Sequence, residues 1–288
     1  MADGPTMRTK PTLILLHGGP GFDHTTSKPA FSALADIARI IYFDHRGNGR
    51  STGNDPKSWN LTQRGDDVKG LCDAFGIEKP IVYGLSFGGF VAQSYATRHP
   101  DHPAKLVLAS AAARIDFDEV FAAFERIGGE EVRHVAETYW REPTAERRAK
   151  YIEVCVPLYR ARADADPHML KRGILKNDVA LRFNGPRNEH GRMDFRGDPA
   201  RIRCPVLVMA GERGPITPLS FSEMIATSIL SHLVRLERFA ECGHGVVPDA
   251  PEKAFRVLCD FILGARRLTS ARSRSTALVL PVRITRCG

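Results

Sequence analysis

Short apolar runs, each closed by glycine or polar residues, recur along the chain from residue 12 onward. Each run is typical of a buried β-strand, and the apolar residues between several of them recur at helical spacing. Strands are predicted over residues 12–16, 40–43, 81–83, 105–110, 205–210 and 233–236, and helices over 27–38, 61–76, 90–96 and 251–263. Their alternation predicts an α/β fold with a mostly parallel central sheet flanked by helices.

The alternation stops between residues 113 and 199, where charged residues and helix formers predict helices without a strand. A helical insertion at this place would cover the C-terminal edge of the sheet, where ligands bind in such folds, and would act as a lid. The expected organisation is a core in two parts (1–112 and 200–264), a helical lid (113–199) and a tail (265–288). Five aromatic residues either line a pocket under the lid or form the lid's own core: Phe117, Phe121, Phe124, Trp140 and Tyr151.

The composition fits one large α/β domain, since 43% of the 288 residues are hydrophobic. The formal net charge is +8, but the tail alone carries +6, has no acidic residue and is expected to be disordered. The tail is not accompanied by a motif of the kind that binds in a nucleic-acid groove, so we expect no nucleic-acid partner. The chain lacks an apolar run of about 20 residues and an apolar N-terminal segment, and its cysteines are scattered without C-x-x-C spacing. These features predict a cytoplasmic protein without a membrane partner or a metal site.

The strand predicted at 81–83 runs into Gly-Leu-Ser-Phe-Gly at residues 84–88, and a helix follows. Gly-x-Ser-x-Gly between a strand and a helix is typical of a nucleophile elbow, a sharp turn that lifts a serine hydroxyl above the sheet. Glycines keep Cβ atoms out of the crowded backbone of such a turn. We therefore predict that Ser86 is a nucleophile. The alternative is an ordinary turn in which Ser86 caps the helix.

Two further loops carry groups that a serine nucleophile needs. Residues 17–21, His-Gly-Gly-Pro-Gly, close the first strand, and their backbone N–H groups can face a reacting group without intervening side chains. Gly19 is the expected donor of one half of an oxyanion hole, and the N–H of Phe87 is expected to supply the other half. His244 lies between two glycines after the last predicted strand, which makes it the candidate base.

The loop at residues 44–51 is polar and glycine-rich, and it follows the strand predicted at 40–43. Asp44 and Arg46 are expected to hold this loop as a pair, because buried polar loops need internal partners. His45 is a weaker candidate for the rim of a pocket.

Together, the motifs at residues 17–21, 44–51, 84–89 and 243–245 resemble those of the α/β-hydrolase superfamily. The first two look most like its proline iminopeptidase branch, and the resemblance covers about residues 11–264. It implies hydrolysis by a Ser-His-acid triad with Ser86 as nucleophile and His244 as base. It implies neither a metal nor an organic cofactor.

The acid of such a triad is missing from its usual position in this sequence. In the family it normally lies three residues after the glycine that ends the strand, which is Gly211 here, and that position is Gly214. Glu212 is the tentative acid, Asp116 is an alternative from the loop after an earlier strand, and the absence of any acid is a third. Loss of the acid typically costs about 10⁴-fold in kcat.

The expected function is that of a serine hydrolase cleaving an ester, lactone or amide bond of a small molecule or short peptide. An aminopeptidase resembling proline iminopeptidases would bind the free amine of its substrate through a lid carboxylate, for which Glu130, Glu131 and Glu137 are candidates. A lactonase or esterase is the alternative. A weakly active or non-catalytic binding protein is another, because position 214 lacks a carboxylate.

Overall fold

The computed structural model describes residues 9–161, 172–198 and 201–264, and a parallel β-sheet lies at their centre. Its strands are β1 (Thr12–Leu16), β2 (Arg39–Phe43), β3 (Ile81–Leu85), β4 (Lys105–Ala109), β5 (Val206–Gly211) and β6 (Val234–Phe239). The spatial order is β2-β1-β3-β4-β5-β6, and every neighbouring pair is parallel. All six predicted strands are confirmed, with ends shifted by a few residues.

The order of the strands brings three loops together at one edge. Leu16, the last residue of β1, is aligned with Phe43 of β2 on one side and with Gly84 of β3 on the other. The loops after these three strands therefore begin side by side. In open parallel sheets, ligands bind at such a switch point at the carboxyl ends of the strands.

Helices cover both faces of the sheet. Two helices precede β4, namely α1 (Leu61–Ala74) and α2 (Phe87–Arg98). Between β4 and β5 lie α3 (Phe117–Arg141), α4 (Ala145–Val154), α5 (Asn177–Phe183) and α6 (Glu189–Arg192). After β5 come α7 (Leu219–Ser228), α8 (Val246–Asp249) and α9 (Pro251–Leu263). Within residues 9–161, 172–198 and 201–264, none of the helices has the length and apolar character that crossing a membrane requires.

Because the sheet is covered on both sides, its inner strands β1, β3, β4 and β5 are apolar at successive positions rather than at alternate ones. On one face, Ile14, Val82 and Leu106 belong to a core shared with α1, α2 and the helices between β4 and β5. On the other face, Leu13 and Tyr83 pack with α9. The chain therefore forms one sheet between two apolar layers, as its alternating pattern predicted.

The helical insertion predicted between β4 and β5 is confirmed, since helices α3 to α6 lie there among the described residues. Its long helix α3 is kinked at Gly129, which has φ +83° and ψ −178°. Four of the five aromatic residues predicted to line a pocket or form a core are buried in the core: Phe121, Phe124, Trp140 and Tyr151. The basic tail predicted at 265–288 lies outside the described residues.

One predicted α-helix is wrong, and helix α7 was not predicted. Residues 27–38 contain a 3₁₀ helix over Ala30–Leu34 rather than an α-helix, and another 3₁₀ helix lies just before, over His24–Thr26. Pro29 lies inside this segment, lacks an N–H group and obstructs the preceding helical turn. Helix α7 was not predicted, because its apolar residues are interrupted by several serines and a threonine.

Candidate active site

The turn between β3 and α2 has the strained geometry of a nucleophile elbow. Ser86 has φ 52° and ψ −116°, in a region that residues other than glycine rarely adopt. Its N–H donates to the carbonyl of Ala109 at 2.8 Å, which fixes the turn to β4. Although Ser86 occupies the N-cap position of α2, its side chain makes no capping hydrogen bond, so the alternative of a helix-capping serine is wrong. The half-buried hydroxyl is left at the end of the sheet.

The glycines around Ser86 are required by close backbone contacts. A Cβ on Gly84 would lie 2.3 Å from the carbonyl oxygen of Gly88, and a Cβ on Gly88 would lie 2.1 Å from that of Leu16. No side chain can relieve these contacts, because both neighbours are backbone atoms. The motif therefore has glycines where the elbow folds tightly against itself and against β1.

The glycine loop after β1 lies against this elbow. A Cβ built on Gly18 would be 3.4 Å from the Cβ of Ser86, and Gly19 has φ +52°, with its absent Cβ position 2.4 Å from the Phe22 ring. Phe87 is the first residue of α2, so its N–H has no acceptor within the helix. The two N–H groups predicted for an oxyanion hole thus belong to segments that adjoin Ser86.

Buried polar side chains connect the loops after β1 and β2. The His17 Nε2 atom accepts from the N–H of His45 at 3.2 Å, and the side-chain oxygen Oδ1 of Asn48 accepts from the N–H of Gly21 at 2.7 Å. His45 is fully buried, so it does not form the rim of a pocket as predicted. These contacts fix the position of the glycine loop relative to the loop after β2.

The predicted pair of Asp44 and Arg46 is not formed, although both residues have structural partners. One Asp44 oxygen accepts from the N–H and from the ring nitrogen of His24, both at 2.8 Å. The Arg46 guanidinium instead donates to Asp67 of α1 at 2.8 Å. The loop is therefore held from two sides, by the loop after β1 and by α1.

His244 follows β6, and its loop lies on the end of β5. A Cβ on Gly211 would lie 1.8 Å from the carbonyl oxygen of Gly243, so the loop rests directly on the last residue of that strand. The carboxylate of Asp249 accepts from the Gly243 N–H at 2.7 Å. The His244 N–H donates to the carbonyl of Tyr159 at 2.6 Å, and the two rings pack 5.0 Å apart. The helical insertion therefore contributes to the position of His244.

Ser86 and the His244 loop lie at the same edge of the sheet. Ser86 follows β3, and the His244 loop covers the end of β5. Only β4 separates these two strands, so their ends are about 10 Å apart. Among the described residues, no hydrogen bond joins the Ser86 hydroxyl to the His244 ring. Such contacts are often long before substrate binds and shorten in the reacting complex.

The partner of the His244 ring is a hydroxyl and not a carboxylate. The Nδ1 atom lies 2.9 Å from Oγ1 of Thr217, which is buried. The position where the family has its acid is Gly214, whose missing Cβ would be 3.3 Å from the His244 backbone nitrogen. Thr217 was not predicted as a partner of His244, because the partner expected for a triad histidine is a carboxylate.

The two carboxylates considered for the triad lie elsewhere. Glu212 is exposed, and among the described residues its side chain has no hydrogen bond to His244. Asp116 is exposed and caps α3, where it accepts from the N–H groups of Asp118 and Glu119 at 3.1 and 3.2 Å. Neither carboxylate is paired with the His244 ring in this structure.

Burial without a negative partner makes His244 a weak base. Removal from water disfavours the charged imidazolium and lowers the pKa of His244 to about 3. The ring is therefore neutral at pH 7. If Nδ1 carries the proton and donates to Thr217, Nε2 is free to accept a proton from a nucleophile.

The buried histidines predict a loss of stability in mild acid. Burial also lowers the pKa of His17 to about 4 and that of His190 to about 3. Between pH 6.5 and 4 the unfolded chain binds protons that the folded chain excludes, so stability falls as pH decreases through this window. We expect the free energy of unfolding in urea to decrease by about 1.4 kcal/mol per pH unit for each such histidine.

The control for this experiment replaces single histidines. His190→Phe should reduce the pH dependence by about one proton, since the ring packs among phenylalanines. His232→Asn is the matched control for the loss of a histidine, because His232 is exposed. Equal slopes in His190→Phe and the parent would show that His190 is already protonated in the folded state.

The chain belongs to the α/β-hydrolase family, because residues 11–251 match the family described as alpha/beta hydrolase fold. The resemblance inferred from the four motifs is thereby confirmed. The chain is accordingly an α/β-fold hydrolase.

Its relatives differ in the activity that their names state. A putative carbamate hydrolase RutD of Caulobacter sp. (strain K31) is 28% identical over 257 residues, covering 87% of this chain and 90% of that protein. Proline iminopeptidase PfmaB of Pestalotiopsis fici is 30% identical over 230 residues, covering 76% and 80%. The structure of a thermophilic esterase from Thermogutta terrifontis aligns with a TM-score of 0.66 at 26% identity, covering 88% and 91%.

Proposed function

We propose that the protein is a serine hydrolase of esters or lactones, with Ser86 as nucleophile and His244 as base. The N–H groups of Gly19 and Phe87 form the oxyanion hole, and Thr217 orients the histidine ring in place of an acid. The observation that carries the proposal is the strained, uncapped Ser86 at the carboxyl edge of the sheet. Strain of this kind persists only where the surrounding structure fixes it, and it is concentrated at functional sites.

The reaction proceeds in two halves. The Ser86 oxygen attacks the carbonyl carbon while His244 Nε2 takes the hydroxyl proton, and the two N–H groups stabilise the oxyanion. The intermediate collapses, the bond to the alkoxide breaks, and the alkoxide leaves with the proton from His244. Water then attacks the acyl-serine in the same manner, which releases the carboxylic acid and restores Ser86.

The weak base favours esters and lactones over amides. An amine leaves only after it has been protonated, whereas an alkoxide or phenoxide leaves with less assistance. An imidazole with a pKa of about 3 takes up the serine proton poorly, so little of it reaches the protonated form that an amine leaving group requires. The carboxylates suggested for binding a free amine give no support to an aminopeptidase. Glu130 and Glu131 are exposed, and Glu137 pairs with Arg141 at 2.7 Å.

Covalent labelling tests the nucleophile. A fluorophosphonate probe is expected to label the parent protein, and Ser86→Ala should abolish the label. Ser110→Ala is the matched control, because Ser110 also ends a strand with positive φ, at 47°, and is buried. Mass spectrometry of the labelled peptide identifies the site. Undiminished labelling of Ser86→Ala would disprove the mechanism.

A substrate panel tests the reaction class. We expect turnover of 4-nitrophenyl butyrate and of a δ-lactone to exceed that of proline-β-naphthylamide and of a simple carbamate. A preference for proline-β-naphthylamide would support the iminopeptidase alternative instead. Labelling of Ser86 without turnover of any of the four would support a binding protein, the alternative favoured by the missing carboxylate at Gly214.

A further inference from the structure

A buried arginine near the elbow has no hydrogen-bond partner. Arg64 of α1 is only 1% exposed, and all three of its guanidinium nitrogens are unpaired among the described residues. Burial lowers the pKa of Arg64 to about 9, so the group is still charged at pH 7. The nearby Asp67 is already engaged by Arg46 and Gln63. A buried charge in this state is costly unless another group compensates it.

Two other buried side chains carry unpaired polar groups, and these two side chains lie close to each other. His190 of α6 is 3% exposed and both of its ring nitrogens lack a partner, as does Nε1 of Trp140. The rings of His190 and Trp140 are 5.6 Å apart. We call Arg64, Trp140 and His190 the unpaired-donor cluster, because each can donate a hydrogen bond that none of the described residues accepts.

Two members of the cluster, Arg64 and His190, lie against the ring of Phe87, the residue that follows the nucleophile. The Arg64 Cζ atom lies 5.4 Å from the centre of the Phe87 ring and 4.7 Å from that of Phe183. The His190 ring is 5.5 Å from the Phe87 ring. The N–H of Phe87 is one half of the proposed oxyanion hole, so Arg64 and His190 pack against the side chain of a residue that contributes to that hole.

The chemistry of the cluster selects its ligand. A guanidinium presents paired donors that match the two oxygens of a carboxylate, and neutral imidazole and indole each add one donor. The positive charge would repel a free amine. A neutral ligand would leave the guanidinium charge uncompensated, whereas a carboxylate would both neutralise it and satisfy the donors.

We propose that the unpaired-donor cluster binds the carboxylate of an anionic substrate, so that the protein cleaves esters or lactones whose acyl part carries a second carboxyl group. That the bound carboxylate belongs to a substrate rests on the proposed function. The binding of a carboxylate itself can be measured without turnover. Arg64 supplies the charge and sets the preference, and Trp140 and His190 complete the subsite.

Thermal unfolding with a carboxylate and its neutral analogue tests the binding. Butyrate should raise the Tm of the parent protein, whereas butyramide and sodium chloride at the same concentration should not. Arg64→Met should raise the Tm in the absence of ligand, since it removes an unpaired buried charge, and should abolish the effect of butyrate. Equal stabilisation by chloride, or by butyrate in Arg64→Met, would overturn the proposal, as would no effect of butyrate on the parent.

Steady-state kinetics then test the selectivity. Mono-4-nitrophenyl succinate should be preferred over 4-nitrophenyl butyrate by the parent, and Arg64→Met should lower kcat/KM for the succinate ester by about 10- to 100-fold. Arg64→Met should therefore lower the ratio of kcat/KM for the succinate ester to kcat/KM for the butyrate ester, and Arg64→Lys should retain part of the preference. An equal loss on both esters would overturn the proposal.

The two proposals fail in different ways. If Ser86 is not the nucleophile, Ser86→Ala still hydrolyses the esters, while the stabilisation by butyrate persists. If the carboxylate subsite is wrong, Ser86-dependent hydrolysis persists without preference for the succinate ester.

Discussion

Gly214→Asp is expected to raise kcat/KM for an ester substrate by about 10²- to 10⁴-fold, because it restores the carboxylate that the histidine lacks. A Cβ at this position would lie 3.3 Å from the backbone nitrogen of His244 and 3.4 Å from the carbonyl oxygen of Thr217. These contacts are tight but require shifts of only a few tenths of an ångström. Gly214 is not among the residues with positive φ, so an aspartate is compatible with its backbone.

The gain should come with a change in pH dependence. A carboxylate beside Nδ1 favours the imidazolium, which raises the pKa of His244 from about 3 toward the neutral range. The acidic limb of the kcat/KM profile should therefore move to higher pH in Gly214→Asp. Gly214→Ala and Gly214→Asn are the matched controls, because they add the same Cβ without a charge. If Gly214→Asn improves turnover as much as Gly214→Asp, the missing charge is not what limits the parent.

His244→Ala should have a modest effect in the parent and a large effect once the aspartate is present. In well-studied serine proteases, loss of the histidine costs about 10⁶-fold in kcat and loss of the acid alone costs about 10⁴-fold or slightly more. A protein that already lacks the acid has only about 10²-fold left to lose, whereas the Gly214→Asp variant should lose about 10⁶-fold. Measuring kcat for the four combinations gives the coupling between positions 214 and 244 directly.

Thr217→Val provides the control for the hydroxyl that now orients the ring. Removing one neutral hydrogen bond should cost the parent about fivefold. In Gly214→Asp the same change should cost less, because the carboxylate takes over the Nδ1 proton. Additive effects of His244→Ala and Gly214→Asp would contradict a shared function of the two positions.

Much of the fold was predictable, because its signals are local. Each buried strand is a short apolar run, and the boundaries predicted for α9 agree with the structure because proline begins the helix and glycine ends it. The elbow was predictable for a similar reason. Its glycines at 84 and 88 are forced by backbone contacts within a few ångströms, so the motif itself carries the geometry.

The rest of the candidate site depends on contacts between distant segments. Thr217 became the partner of His244 only because the loops after β5 and β6 meet, and a threonine gives no signal of that. Arg64 looked like one of many charged residues on a helix, since nothing in its spacing reveals that aromatic residues from α2 and α5 enclose it. Asp44 and Arg46 were paired by proximity in sequence, whereas each found a partner across the fold.

The contacts of Asp249 have a consequence for exchanging parts among related hydrolases. Its carboxylate accepts from Gly243 next to the histidine and also from the N–H of Ala161 in the helical insertion, at 2.7 and 3.1 Å. A chimaera that receives the insertion of another hydrolase would therefore change the position of His244 unless residues 159–161 were retained. Specificity and proton transfer cannot be exchanged as separate modules in this chain.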